Sequence, residues 1–196
     1  MNFNELVKNQ HSNIMGFARH YMLLYSIVYG LEAKSCFEFG VGFSSKVILR
    51  AMKDANGLID HKLISCDVRP VSEFNELPMD NIHWKFYSGK SEYVLKTKLE
   101  DEVFDFVLHD GSHNGDAVYS DLIQILPRMK QNSIILVHDV CHPKFGRGIS
   151  KAISRALKSV DKREKAILPY GSGLAVIRIK GNKKNGVVKP KWRKKK

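Results

Sequence analysis

The sequence predicts an α/β fold: a Rossmann-like, mostly parallel sheet of about seven strands with helices on both faces and a C-terminal antiparallel hairpin. Three observations predict it. Apolar strand-like runs alternate with helical patterns, the order that builds parallel sheets through crossover helices. The stretch from Cys36 to Leu49, CFEFGVGFSSKVIL, reads as a short strand, a glycine turn and a helix. Finally, four apolar runs end in an acid, at Glu38, Asp67, Asp110 and Asp139. Open α/β sheets bind ligands beyond the carboxyl ends of their strands. A single acid there is an ordinary turn residue, but four on four strands describe one rim.

Each element follows from local pattern. Residues 1–33 form the N-terminal helical region, with Phe17, Met22, Leu23, Tyr25, Ile27, Val28 and Leu31 at helical spacing and two segments meeting near His11. The glycine strand follows, and Ser45 to Lys53 continues as a helix that Asn56 and Gly57 end. Leu63 to Asp67 is a second strand, and 68–81, with two prolines, is a loop. Ile82 to Tyr87 is a third strand, and Tyr93 to Lys98 a short helix. Phe104 to Asp110 is a fourth strand, followed by an amphipathic helix from Ala117 to Met129. Ser133 to Asp139 is the fifth strand, and a Gly146-Arg147-Gly148 turn leads to a helix from Ile149 to Val160. Ala166 to Leu168 and Leu174 to Ile179 flank a turn and complete the hairpin.

Composition bounds the classes of function. At 196 residues and 43% hydrophobic content, the chain can bury one full core, which places a single domain at 1–180. No apolar run approaches membrane-spanning length, and the N-terminus lacks the layout of a secretory signal. Three cysteines, two of them in strand-like runs, read as reduced core residues of a cytoplasmic protein. Residues 181–196 carry eight lysines and arginines and no acid, which accounts for +8 of the net +12 and leaves +4 for the body. Such a tail is expected to be disordered in isolation. It is either a solubilising terminus or a contact for nucleic acid or another polyanion, with Trp192 available for stacking.

The glycine turn also constrains the ligand. Loops of this kind bring backbone N–H groups close to phosphates, yet Glu38 stands just before Gly40 and would repel a pyrophosphate. A carboxylate there favours a nucleoside carrying an amino-acid tail, and S-adenosylmethionine (SAM) has that chemistry. A degraded dinucleotide fingerprint, Gly40-x-Gly42-x-x-Ser45, is the competing NAD(P) oxidoreductase reading; Glu38 and the missing third glycine oppose it. A non-catalytic scaffold with a polyanion-binding tail is a third class.

The ordered set Glu38-x-Gly40-x-Gly42-x-Ser44, Asp67, Asp110-Gly111-Ser112-His113 and His138-Asp139 resembles the class I SAM-dependent methyltransferases. The Asp-Gly-Ser-His segment and the closing Leu168-to-Leu174 hairpin turn are most similar to methyltransferase family 24. Its relatives include cephalosporin-hydroxylase-like and catechol-type O-methyltransferases. The resemblance spans roughly residues 30–180. It implies that Glu38, Gly40, Gly42 and Ser44 hold the methionine portion of SAM, that Asp67 accepts from the ribose hydroxyls, and that Ser91 contacts adenine, with Asp110 also at the cofactor. A helix-capping role is the competing reading of Ser91.

The same resemblance bears on chemistry. Catechol-type relatives bind a divalent metal through an Asp after the fourth strand and an Asp-Asn pair after the fifth. Asp110 and Asp139 match the acids, while Val140 stands in place of the Asn. With His138 they make an implied site for Mg, Mn or Zn, the nitrogen donor favouring the latter two; the competing reading has the acids only capping loops and touching substrate. His113 falls where these relatives place a lysine base, so His113 and Asp110 are the catalytic candidates. The implied activity is O-methylation of a small-molecule or sugar-like acceptor. A variant brings a nucleic-acid substrate to the pocket through the tail, although the aromatic-plus-proline motif of base N-methyltransferases is missing.

Overall fold

The computed structural model describes residues 16–56, 60–70 and 83–180. A 3-10 turn at Phe17–His20 leads into α1 (Tyr21–Gly30), then β1 (Ser35–Phe39), α2 (Phe43–Asn56), β2 (Lys62–Asp67) and β3 (Trp84–Ser88). Next come α3 (Ser91–Thr97), β4 (Phe104–His109), α4 (Gly115–Ile125), β5 (Met129–His138), α5 (Gly146–Ala156), β6 (Arg163–Leu168) and β7 (Leu174–Ile179). The seven strands form one sheet in the order β3-β2-β1-β4-β5-β7-β6. The first five are parallel, and β7 runs antiparallel to both β5 and β6. The expected architecture is present.

The sheet separates two apolar layers because successive strand residues face opposite sides. Phe37, Phe39, Ile64 and Val107 pack with Leu95 of α3, Leu122 of α4 and Ile153 of α5. On the other face Cys36, Leu63, Phe106 and Leu108 pack with Val28 of α1 and Ile48 and Met52 of α2. This alternation later decides where Glu38 and His109 point.

Three sequence expectations shift. The helix expected to run to Met129 stops at Ile125, because Pro127 turns the chain into a 3-10 segment and Met129 already begins β5. The expected turn at Gly146-Arg147-Gly148 is instead the first turn of α5, which ends at Ala156. Close packing explains Gly146: a Cβ there would lie 2.7 Å from the Val140 carbonyl oxygen. Of the cysteines, Cys36 and Cys66 are buried but Cys141 is exposed. The basic tail at 181–196, most of the 68–81 loop and the first helical segment lie outside the described residues. Among the described residues, no helix is long and apolar enough to cross a membrane.

Candidate active site

The strand ends are tied to one another by backbone hydrogen bonds that continue past the ladders. Gly40 N–H donates to the Cys66 carbonyl at 2.9 Å, Gly89 to Asp67 at 2.8 Å and Asp110 to Phe39 at 3.0 Å. Gly40 has φ +83°, and a Cβ there would stand 2.4 Å from the Asp110 carbonyl oxygen. Only glycine lets the β1 and β4 loops meet so closely.

Beyond these ends lies a cavity of about 410 Å³ whose walls include Phe39, Gly40, Asp67, Arg69, Gly89, Ser91, Asp110, Gly111 and Asp121. Four of the predicted cofactor residues therefore line it: Gly40, Asp67, Ser91 and Asp110. Glu38, Gly42 and Ser44 do not. The reason for Glu38 is the pleat. It lies on the α2 side of β1, fully buried, where Ser44 Oγ donates to it at 2.5 Å, Ser45 Oγ at 2.6 Å and Ser65 Oγ at 2.9 Å. Trp84 Nε1 donates to Ser65 in turn. Burial raises the Glu38 pKa to about 7 even though the three hydroxyls act to lower it; the nearby Asp110 charge adds to the rise. Glu38 is thus a pin beneath the glycine loop, not a wall of the cavity.

Asp67 accepts from the Val41 and Arg69 amides at 3.1 and 2.9 Å and pairs with the Arg69 guanidinium at 2.9 Å. Burial acts to raise its pKa, but the Arg69 side chain and the two amides outweigh it and hold the carboxyl below the usual range. Arg69 was not anticipated from sequence. Ser91 opens α3 but does not cap it: its hydroxyl donates to Asp121 Oδ1 at 2.5 Å. Asp121 was also missed. Its signal was its place among Val118, Leu122 and Ile125 on the buried face of α4.

A second cavity, of about 380 Å³, adjoins the first and is lined by Gly16, Phe17, Asp110, His113, His138, Asp139, His142, Phe145 and Ser172. Among the described residues, Asp110 alone lines both. His138 Nδ1 lies 2.8 Å from Asp110 Oδ1 and 3.4 Å from Asp139 Oδ1. One ligand atom from each of the three residues lies within 4.8 Å of the others. These two contacts bracket the separation of about 3 Å expected between neighbouring ligands of a small divalent ion, so the donor set fits such an ion. Val140, which replaces the expected Asn, is a buried apolar residue.

His113 Nε2 lies 2.7 Å from Asp139 Oδ2, and the half-exposed imidazole stacks on Phe145. Asp139 has φ +62°, a left-handed conformation rare outside glycine and met at functional turns. Behind this cluster, His20 and Tyr21 were not foreseen. His20 is buried against His138 and Tyr170, and burial first, then His138, push its pKa down to about 4, so it is neutral at pH 7. Burial, followed by Asp110 and Glu38, pushes the Tyr21 phenol up.

The methyltransferase 24 family model, described as a methyltransferase domain, matches residues 37–140, the segment carrying the whole rim from β1 to the end of β5. The chain belongs to that methyltransferase family. No curated protein sequence matches this methyltransferase. Its fold is that of solved class I SAM-dependent enzymes. The O-methyltransferase TomG of Streptomyces achromogenes, solved with SAM, is 17% identical over 92% of each chain, with a TM-score of 0.66. The SAH-bound methyltransferase PaMTH1 of Podospora anserina is 19% identical over 89% of this chain and 87% of its own, at 0.70. MycE of the mycinamycin pathway, solved with Mg and SAH, is 16% identical; 96% of this chain matches 56% of MycE, at 0.61. The family match removes the reason to read the glycine turn as a dinucleotide fingerprint.

Proposed function

We propose that this methyltransferase transfers the methyl group of SAM to a hydroxyl of a small-molecule or sugar-like acceptor, assisted by a divalent metal. The observation that carries the proposal is the pair of cavities meeting at Asp110. One is nucleoside-sized and the other is walled by acid–base residues. Direct displacement requires donor and acceptor held in contact and in line, and little else.

The residues present suit SAM. The first cavity lies within the range of small-molecule sites. Asp67 is held ionised and would accept from the ribose hydroxyls, and Ser91 would meet the adenine edge. The Asp110 carboxylate would favour the positive sulfonium end. Bound SAM would supply a methyl group on an electron-poor sulfur.

On the acceptor side, the chain's own groups manage a proton. A neutral His113 whose Nε2–H donates to Asp139 keeps a lone pair on Nδ1, the atom that would take the acceptor hydroxyl's proton. Asp139, 2.7 Å away, would then face an imidazolium and stabilise it. Asp110, His138 and Asp139 would hold the divalent cation, which would lower the pKa of the acceptor hydroxyl. The Mg seen in MycE supports this assignment, as does the compact donor set. Phe17, His142 and Phe145 would shield the reaction from water and bear on acceptor choice.

The test is calorimetry with SAM, SAH and NAD, followed by turnover of a panel of hydroxylated acceptors with and without EDTA. Binding of SAM and SAH, methylation of an acceptor oxygen and loss of turnover in EDTA are expected. Binding of NAD alone overturns the reading, and turnover undiminished by EDTA removes the metal.

A further inference from the structure

Asp121 and His109 take no part in the mechanism, yet they form a polar chain with Ser91, which lines the first cavity. Asp121 is 4% exposed and His109 2% exposed. Asp121 Oδ1 accepts from Ser91 Oγ at 2.5 Å, and Asp121 Oδ2 lies 3.0 Å from His109 Nε2. His109 ends β4 on the side facing α3 and α4, its ring packed against Phe39 with centroids 4.7 Å apart. Ser91 and Asp121 both reach the cavity wall, whereas His109 is not among its lining residues.

The protons in this chain are committed. A carboxylate only accepts, so the Ser91 hydroxyl must give its hydrogen to Asp121, and His109 must carry its hydrogen on Nε2. What Ser91 then offers to the cavity is lone pairs. A ligand atom resting there has to be a donor, since two facing acceptors leave both unpaired in a desolvated site. Among purines, a 6-amino group meets that demand and a 6-oxo group does not.

We propose that Asp121 and His109 are positioning residues that fix Ser91 as an acceptor and so select a 6-aminopurine nucleoside over a 6-oxopurine one. This rests on the proposed placement of SAM, with its purine end at Ser91. It adds to that placement a reason why a carboxylate and an imidazole are buried together on α4 and β4, where an apolar pair would pack without needing partners.

The experiment compares binding of SAH with that of S-inosyl-L-homocysteine, which differs in bearing oxygen for the amine at purine position 6. The full chain should bind SAH about tenfold tighter or more, the cost of one mispaired buried group. In Asp121→Asn the side-chain amide can donate to Ser91 and release its hydroxyl to donate to the ligand, so the preference should fall to near unity or invert. In Ser91→Ala, which removes the reading atom and leaves Asp121 in place, SAH binding should weaken and the preference should vanish. If Asp121→Asn does not fold, Ser91→Ala alone decides. Retention of the wild-type preference in the folded variants overturns the inference, as does equal binding of both nucleosides by the wild type. A wild type that binds neither overturns the placement of SAM, and this inference with it.

Discussion

Replacing Glu38 by Gln tests whether the glycine loop stands on a buried, proton-holding carboxyl. Burial raises the Glu38 pKa from its ordinary 4.5 to about 7 in the folded chain. Below pH 4.5 the group is protonated whether the chain is folded or not. Between 4.5 and 7 the folded chain keeps a proton that the unfolded chain has lost, so stability from this group is complete below the lower value and is lost as pH rises through the upper one. At about 1.4 kcal/mol per pK unit, the loss is about 3 kcal/mol. For a chain of this size that corresponds to a melting-temperature change of roughly 6–12 °C. Gln cannot titrate, and its amide can still accept from one serine while donating to another. Urea and thermal unfolding from pH 4.5 to 8 should therefore show the wild type falling relative to Glu38→Gln by about that amount, whatever the offset between them. Because both proteins share every histidine, the difference curve isolates Glu38. A difference that stays flat across this window would falsify the buried-carboxyl account.

Other outcomes follow from the same geometry. Asp67→Asn should weaken SAH binding by about 10- to 100-fold, the range for hydrogen bonds to a charged group; calorimetry giving unchanged affinity places the ribose elsewhere. His113→Gln should lower kcat by about 10²- to 10⁴-fold while SAH affinity stays at the wild-type value, and a fully active variant removes His113 from proton transfer. Gly40→Ala combines a left-handed φ with a Cβ 2.4 Å from the Asp110 carbonyl oxygen. It should cost about 1–3 kcal/mol of stability and reduce turnover by displacing Asp110. A melting temperature equal to wild type would show that the β1 and β4 loops can separate.

Much of this molecule is written locally. The strands, the glycine turn and the acids at the strand ends are legible because apolar runs, glycines and turn residues act over a few neighbouring positions, and the parallel order follows from strict alternation with helices. The gathering of Asp110, His138 and Asp139 was legible too, since strands adjacent in a parallel sheet must deliver their tips to the same rim. Helix ends were less so: the close approach that Gly146 permits is made to Val140, across a turn whose path the pattern does not show.

What the tertiary structure alone decided is the facing of each polar side chain and what it meets there. Glu38 and Phe39 are neighbours in sequence, yet the pleat sends one to the serines of α2 and β2 and the other to the cavity. His109 and Asp121 become partners only because β4 and α4 pack together. A sequence states which groups are charged; whether a charge meets a ligand, a hydroxyl or another charge depends on contacts between residues far apart in the chain, and the free energy of those contacts exists only once the layers have closed.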